Sequence, residues 1–425
     1  MFVYASIVPL GFQPLGLGHA WKRYQSIPWL QLDVYRRSDW LSNGLVVVPV
    51  CFLLCGAVVY GYGNRFHQSL GLALSVGLMI LMVFIVEFLQ VWFPRRTLSQ
   101  NDILAGSLGA VAGGLAWVAC GRYFTSIAAL ACFSPIKSQR ISHIAMVLSF
   151  VTVFHMLLPF DFVMSLPELF KKYQHNGSST FVIQKVIGYP IDWIDTLRNL
   201  IRYVPIGVWL AYGYPRRNAW LPVFLIPTLL ELFQLFIFSR NASLADAVAG
   251  GIGIQIGRNI DFDALAVRLN SLKKLTVLGL ILLYYFTLII ATSIQGRDIV
   301  LDLGTLYSRI GLMFPVPLSR YYLKSEFSAF NLLFIKTLVF LPLGFLFALF
   351  FVKHTKVLRC RFYVLSSCLL LGLIIESSQL FLPPLIPDVW DILVYAFGGL
   401  LGYHLLQTVL MEPQVAKDDL STKVC

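Results

Sequence analysis

Long apolar runs dominate this chain, and its polar positions break into them at regular places. Nearly uninterrupted apolar stretches cover Leu45–Tyr62, Gly71–Phe93, Ile103–Ala119, Leu275–Thr292 and Phe362–Leu382. Each is roughly twenty residues, the length a helix needs to cross a hydrocarbon layer about 30 Å thick. Lipid offers no partner to backbone N–H and C=O groups, so a spanning segment must satisfy them within a helix or a closed barrel. No alternating barrel pattern runs through the sequence. The pattern predicts an all-α, polytopic helical membrane protein.

Where polar residues do interrupt, they repeat. Residues 87–102 read EFLQVWFPRRTLSQND, residues 231–246 ELFQLFIFSRNASLAD and residues 376–391 ESSQLFLPPLIPDVWD. In each, Glu is followed by Gln three positions on and by Asp fifteen positions on, and the copies begin 144 and 145 residues apart. Such a period divides the chain into tandem units at 1–135, 136–265 and 266–410, followed by a polar cytoplasmic tail at 411–425. The second unit has apolar segments near 142–160, 198–214, 218–238 and 244–258, and the third near 275–294, 330–352, 362–383 and 389–410. The opening MFVYASIVPLGF is too short an apolar run to span, which makes the first helix truncated or short. The expectation is therefore about 11–12 transmembrane helices in three parallel four-helix repeats.

The second helix of each unit carries its own marks. Asn43 precedes Pro49 by six residues and Asn199 precedes Pro205 by six; Pro342 matches those prolines, with Lys336 in the Asn place. Pro159-Phe-Asp-Phe162 echoes Pro9-Leu-Gly-Phe12 after the first helix, and the third unit lacks that echo.

Composition agrees with the pattern. Hydrophobic residues make up 58% of the chain and charged residues 13%, about half the soluble norm. The net charge of +12 sits mainly in loops predicted to be cytoplasmic: Arg65, then Arg216 and Arg217, then Lys353, Lys356, Arg359 and Arg361. Loops between units add Arg122, Lys137, Arg140, Arg258, Arg268, Lys273 and Lys274. This bias predicts both termini in the cytoplasm and places the charge where anionic lipid attracts it, so membrane lipids are the expected partners and nucleic acid is not called for. The seven cysteines and seven histidines form no ligand-spaced cluster, so neither a metal nor a cofactor is expected. Outer segments near 11–39, 163–197 and 297–329 mix aromatics with charge, which suits helices lying flat in the headgroup layer.

The repeated motif is the candidate chemistry. Positions three apart share a helix face, so Glu87 points with Gln90, Glu231 with Gln234 and Glu376 with Gln379. A charge near membrane depth is expensive unless it is paired or faces the bundle interior. Ser99-x-x-Asp102 and Ser243-x-x-Asp246 resemble capping boxes opening the fourth helix, with Asp388 in the Ser place before Asp391. Arg96 and Arg240 lie nine positions after their Glu, where the third unit has Leu385. Small residues then follow on one face: Gly106, Gly109 and Gly113; Gly250, Gly253 and Gly257; Gly398 and Gly402. A tight hairpin of third and fourth helices would gather these groups. Two compatible readings stand: a structural clasp of Glu with Arg and Gln with free backbone groups, or a binding or catalytic site facing the outer leaflet.

These residues resemble the VanZ-like family of bacterial membrane proteins. The resemblance rests on YASIVPLGF, Asn43 to Pro49, EFLQVWFPRRTLSQND running into LAGSLGAVAGG, RNLIRYVPIG, and ELFQLFIFSRNASLADAVAGGIGIQIG. It continues more loosely through FLPLGF and ESSQLFLPPLIPDVWDILVYAFGGLLG. Family members typically carry one such domain, so the chain resembles a tandem of three. Departures are Lys336, Leu385, and Cys51 where the other units have Gly207 and Gly344. The family is named for a determinant of low-level resistance to teicoplanin, a glycopeptide that binds cell-wall precursors. The resemblance implies a bacterial inner-membrane protein of the cell envelope, engaging a lipid or lipid-linked cell-wall precursor near the outer leaflet. The alternatives are an integral-membrane enzyme with Glu87, Glu231 or Glu376 as general base, although no companion nucleophile is visible, or a transporter.

Overall fold

The computed structural model describes all residues except 1, 9, 62, 95, 175–192, 215–219, 272–273, 294–301, 322–325, 352–356, 383–384 and 411–425. Arg216, Arg217, Lys273, Lys353, Lys356 and the tail predicted to be cytoplasmic lie outside the described residues. Secondary structure among the described residues is helical, with one isolated antiparallel bridge between Phe162 and Ile237.

The first copy of the motif belongs to helices α1 (Phe2–Ile7), α2 (Leu17–Gln25), α3 (Val34–Val59), α4 (Arg65–Leu89) and α5 (Gln100–Phe133). The second belongs to α6 (Lys137–Leu157), α7 (Leu166–Gln174), α8 (Trp193–Gly213), α9 (Trp220–Gln234) and α10 (Leu244–Arg258). After α11 (Phe262–Ser271) come α12 (Lys274–Ser293), α13 (Leu303–Leu312), α14 (Glu326–Phe351), α15 (Val357–Gln379) and α16 (Asp391–Leu410). The chain divides into two compact units, Met1–Ile260 with Ser325–Phe327 and Asp261–Lys324 with Ser328–Cys425, so the first two motif copies share a unit and the third has its own.

Six described helices are long and apolar enough to cross a membrane: Arg36–Val59, Arg65–Trp92, Gln100–Phe133, Lys137–Leu157, Phe327–Phe351 and Arg359–Gln379. The other predicted spans are also helical. Of these, α9 and α10 have 15 residues each, about 22 Å of rise, short of a full hydrocarbon layer. At the other extreme α5 has 34 residues, about 51 Å, more than a span needs.

Helix starts follow the side chains available to cap them. The Asp33 side chain accepts from the Arg36 N–H to open α3, and Asn64 accepts from Phe66 to open α4. Each copy packs a core of its own. Val47, Cys51, Cys55, Met79, Val83 and Ala110 fill the first, with both cysteines as buried apolar filler. Met156, Tyr203, Ile206, Val223 and Ile254 fill the second, and a larger cluster around Phe340, Leu343, Val364, Leu371 and Tyr403 fills the third. The short helices α2, α7 and α13 are amphipathic. They expose Leu17 and Trp21, Leu166 and Phe170, and Leu303 and Tyr307, the pattern of helices built for an interface.

Candidate functional site

The three glutamates face inward and are buried: Glu87 is 5% exposed, Glu231 7% and Glu376 0%. Each reaches across to the residue that opens the following helix. Glu87 accepts the Ser99 N–H at 3.0 Å, Glu231 the Ser243 N–H at 3.0 Å, and Glu376 the Asp388 N–H at 2.8 Å. In every copy the partners are twelve residues apart. Helix starts leave backbone N–H groups without intrahelical acceptors, and a carboxylate suits the positive end of the helix dipole.

The predicted capping boxes are therefore only half local. Ser99 Oγ accepts from the Asp102 N–H at 3.1 Å and Ser243 Oγ from Asp246 at 3.4 Å. The return bond to the capping residue's own N–H comes from the glutamate of the preceding helix, not from the Asp three positions on. In a closed box that bond falls to Glu or Gln; Asp is one methylene shorter, which frees its carboxylate to face the second helix. Asn43 Nδ2 donates to Asp102 Oδ1 at 2.7 Å, and in the third copy Lys336 Nζ pairs with Asp391. The Lys336 departure thus keeps the contact and changes it from a neutral donor to a cation. In the second copy Asn199 Oδ1 accepts from Arg202 at 2.9 Å. Asp388 departs from the serines too, its carboxylate accepting from the Trp390 N–H at 3.0 Å.

The glutamines bind the first helix. Gln90 Nε2 donates to Ser6 O at 2.9 Å and Gln234 Nε2 to Met156 O at 3.4 Å, carbonyls at the ends of α1 and α6. Gln379 turns back to Glu376 at 3.2 Å instead, and Tyr395 OH donates to the same carboxyl oxygen at 3.0 Å. The predicted Glu–Arg pairing is replaced in the second copy, where Arg240 Nε donates to Leu158 O at 2.7 Å and the guanidinium reaches His155 O at 3.4 Å. The end of α6 offers carbonyls beyond the helical ladder: Leu158 O, and His155 O, which also accepts the Leu158 N–H, hold the arginine.

The glycine face divides between two helices: Gly106 lies against Val83 of the third helix and Gly250 against both Tyr203 of the second and Pro227 of the third, while the later glycines of each set close on the second helix. A Cβ on Gly109 would lie 2.3 Å from Gly44 O and one on Gly113 2.5 Å from Val48 O. The corresponding distances are 2.2 Å from Gly253 to Leu200 O, 2.1 Å from Gly257 to Val204 O, 2.3 Å from Gly398 to Thr337 O and 2.1 Å from Gly402 to Leu341 O. In each copy these carbonyls stand five residues and one residue before Pro49, Pro205 or Pro342. Only glycine admits that approach, which brings the start of the fourth helix against the Asn or Lys of the second.

Outer segments complete the arrangement. Leu30 N–H donates to Asn101 Oδ1 at 2.9 Å and Gln100 N–H to Pro28 O at 3.2 Å, while Val389 N–H donates to Met313 O at 3.0 Å. Tyr321 OH bonds Asp391, and Arg320 holds the Pro387 and Ile386 carbonyls. Lys172 of α7 donates to the carbonyls of Gln234, Leu235 and Ile237 at 3.1, 2.9 and 2.7 Å, and burial pushes its pKa down to about 8. Arg309 of α13 likewise donates to Gln379 O at 2.8 Å and Leu380 O at 2.7 Å. Asp161 accepts from both the backbone and the hydroxyl of Ser239 at 3.1 Å, and burial raises its pKa. Sequence reasoning did not single out Lys172, Arg309, Tyr321 or Tyr395. A signal for the first two exists: the seventh residue of α2, α7 and α13 is Arg23, Lys172 and Arg309, each two positions after an aromatic residue.

Buried carboxylates that join helix ends within an apolar bundle define a class, a multi-pass membrane protein built from copies of one polar clasp. The VanZ/LLP1 family model matches residues 5–121 and 276–410, more than half of the chain, and the chain belongs to that family. The matched regions contain the first and third motif copies; the middle copy lies between them. Comparison with the curated proteins and with the solved structures gave no match.

Proposed function

We propose that this protein works in the bacterial inner membrane, with both termini cytoplasmic, and that its polar clasps engage a lipid or lipid-linked cell-wall precursor near the outer leaflet. In that role it contributes to low-level glycopeptide resistance of the teicoplanin type. One observation carries the reading. The same carboxylate is buried at the same register in three copies, at a helix end where a neutral residue would cost less, and intramembrane ionisable groups of this kind mark ligand pathways. The clasp gives these carboxylates a structural partner as well, so the test must separate the two roles.

Glu87→Gln, Glu231→Gln and Glu376→Gln each retain an oxygen that can accept the capping N–H while removing the charge. The expected outcome is normal protein abundance in the membrane with increased teicoplanin susceptibility in at least one variant. Normal abundance and unchanged susceptibility in all three single variants and in the triple variant would sink the proposal.

A further inference from the structure

Between its first and second helices each copy carries a short amphipathic helix of one pattern. α2 opens Leu-Gly-His-Ala-Trp-Lys-Arg, α7 Leu-Pro-Glu-Leu-Phe-Lys-Lys and α13 Leu-Gly-Thr-Leu-Tyr-Ser-Arg. In two copies the last cation of the pattern is structural. Lys172 is buried on the carbonyls that end α9, and Arg309 holds those that end α15. Arg23 does not follow them. It is exposed, as is Lys22 beside it, and among the described residues no hydrogen bond, ion pair or ring contact engages either side chain.

The first copy closes the same helix end without a cation. After α4 the chain turns through a 3-10 segment, Gln90–Trp92, whose last carbonyl accepts the Gln13 N–H at 2.8 Å. Aromatic contacts fix α2 instead. Trp21 and Tyr24 meet Phe88 edge-on at 6.0 and 5.2 Å, and Tyr24 OH donates to Phe84 O at 3.4 Å. Just past α2, Ile27 O accepts from Gln100 Nε2 at 2.7 Å and Leu30 exchanges hydrogen bonds with Asn101. The helix therefore lies beside the clasp of Glu87 and Ser99.

What α2 leaves outside decides what can dock there. Leu17 and Trp21 share a face and are 73% and 52% exposed, while Lys22 and Arg23 occupy the other side. α2 holds no acid, and the next basic residues along the chain are committed, Arg36 to Gln31 O at 3.4 Å and Arg37 to Glu168. An exposed apolar face backed by two unpaired cations complements a phospholipid, with acyl chain against the first and phosphate against the second. A guanidinium also matches phosphate with paired donors. Free phosphate would leave Leu17 and Trp21 uncovered.

We propose that in the first copy Lys22 and Arg23 of α2 hold the anionic phosphate of a lipid head group beside the clasp, a role closed to Lys172 and Arg309 because both are bound to helix ends. This deepens the lipid-site reading and rests on it.

Full-length protein purified in detergent is titrated with phosphatidylglycerol and with phosphatidylcholine of the same acyl chains, and bound lipid is read by native mass spectrometry. Phosphatidylglycerol is expected to bind about tenfold tighter, each cation near an anionic head group contributing up to about fivefold. Lys22→Gln combined with Arg23→Gln is expected to remove most of that preference and leave the melting temperature unchanged, since both side chains are exposed. Arg65→Gln combined with Arg122→Gln removes the same charge from exposed positions, one at the opposite end of α4 and one well along α5, and is expected to keep the preference. Lys172→Gln is expected to lower the melting temperature and keep the preference too. Equal affinity for the two lipids, an equal loss in both double variants, or displacement by inorganic phosphate beyond that by acetate of the same ionic strength overturns the inference. If binding responds to Glu87→Gln but not to the Lys22 and Arg23 double variant, the lipid-site reading survives and this one falls. If it responds to neither, both fall.

Discussion

At the scale of single residues, the clasp is held by acceptors placed against amides that a helix cannot satisfy for itself. The chemistry tolerates exchange where hydrogen-bond geometry is kept. Asn43 and Lys336 occupy the same place on the second helix, and each donates to the Asp that opens the fourth. Lys336→Met is therefore expected to destabilise the third copy by about 2 kcal/mol, less than a fully buried pair because Lys336 is half-buried. Lys336→Asn is expected to recover most of that, since it recreates the Asn43 contact. Thermal unfolding of the purified variants reads the difference, and equal losses for Met and Asn would refute the equivalence.

At the scale of elements, the second and fourth helices approach through glycine, and the register of that approach repeats to the residue. Gly257→Ala and Gly402→Ala each place a methyl 2.1 Å from a backbone carbonyl, so the helices must separate. The expected cost is about 1–3 kcal/mol or more each. Gly77→Ala and Gly279→Ala are the internal comparison: a Cβ at either position meets nothing within 4 Å, and alanine is the better helix former by roughly 0.5–1 kcal/mol. Melting temperatures should fall for the first pair and hold or rise for the second. A matching fall in all four would mean that glycine serves the helices in some way other than close approach.

At the scale of the whole molecule, polar contacts join the first two copies within their shared unit. In the unit that holds the first two, Arg37 of α3 pairs with Glu168 of α7 at 2.6 Å, and Ser38 Oγ donates to Pro159 O at 2.8 Å. The hydrogen bond from Arg37 holds the Glu168 carboxyl below its ordinary 4.5. A lowered carboxyl pKa stabilises the folded state above the unfolded value, and that contribution is lost as pH falls through the folded value. The wild-type melting temperature should therefore fall more steeply than that of Glu168→Gln as pH drops below about 4.5. At neutral pH the two should differ by no more than about 1 kcal/mol, since the pair is partly exposed. Parallel pH profiles would show that the ion pair does not contribute.

Much of this was legible in the residues themselves. Apolar run length decides that the chain is helical in lipid, because an unpaired backbone has no alternative there. The recurrence of Glu, Gln and Asp at one spacing marks where the clasps lie, and glycine at three and four residues marks a face of close contact. Partners were not legible, because a spacing states which side chains share a helix face but not which helix they meet. Only the tertiary structure set Glu87, Glu231 and Glu376 against the first amide of a neighbouring helix, turned Arg240 onto the carbonyls of α6, and set Gly109, Gly113 and their counterparts on the second helix. It alone brought Lys172 and Arg309 onto the spent ends of α9 and α15. Those choices depend on which carbonyls and amides are left over once every helix has closed its own ladder, a quantity that exists only after the helices are packed.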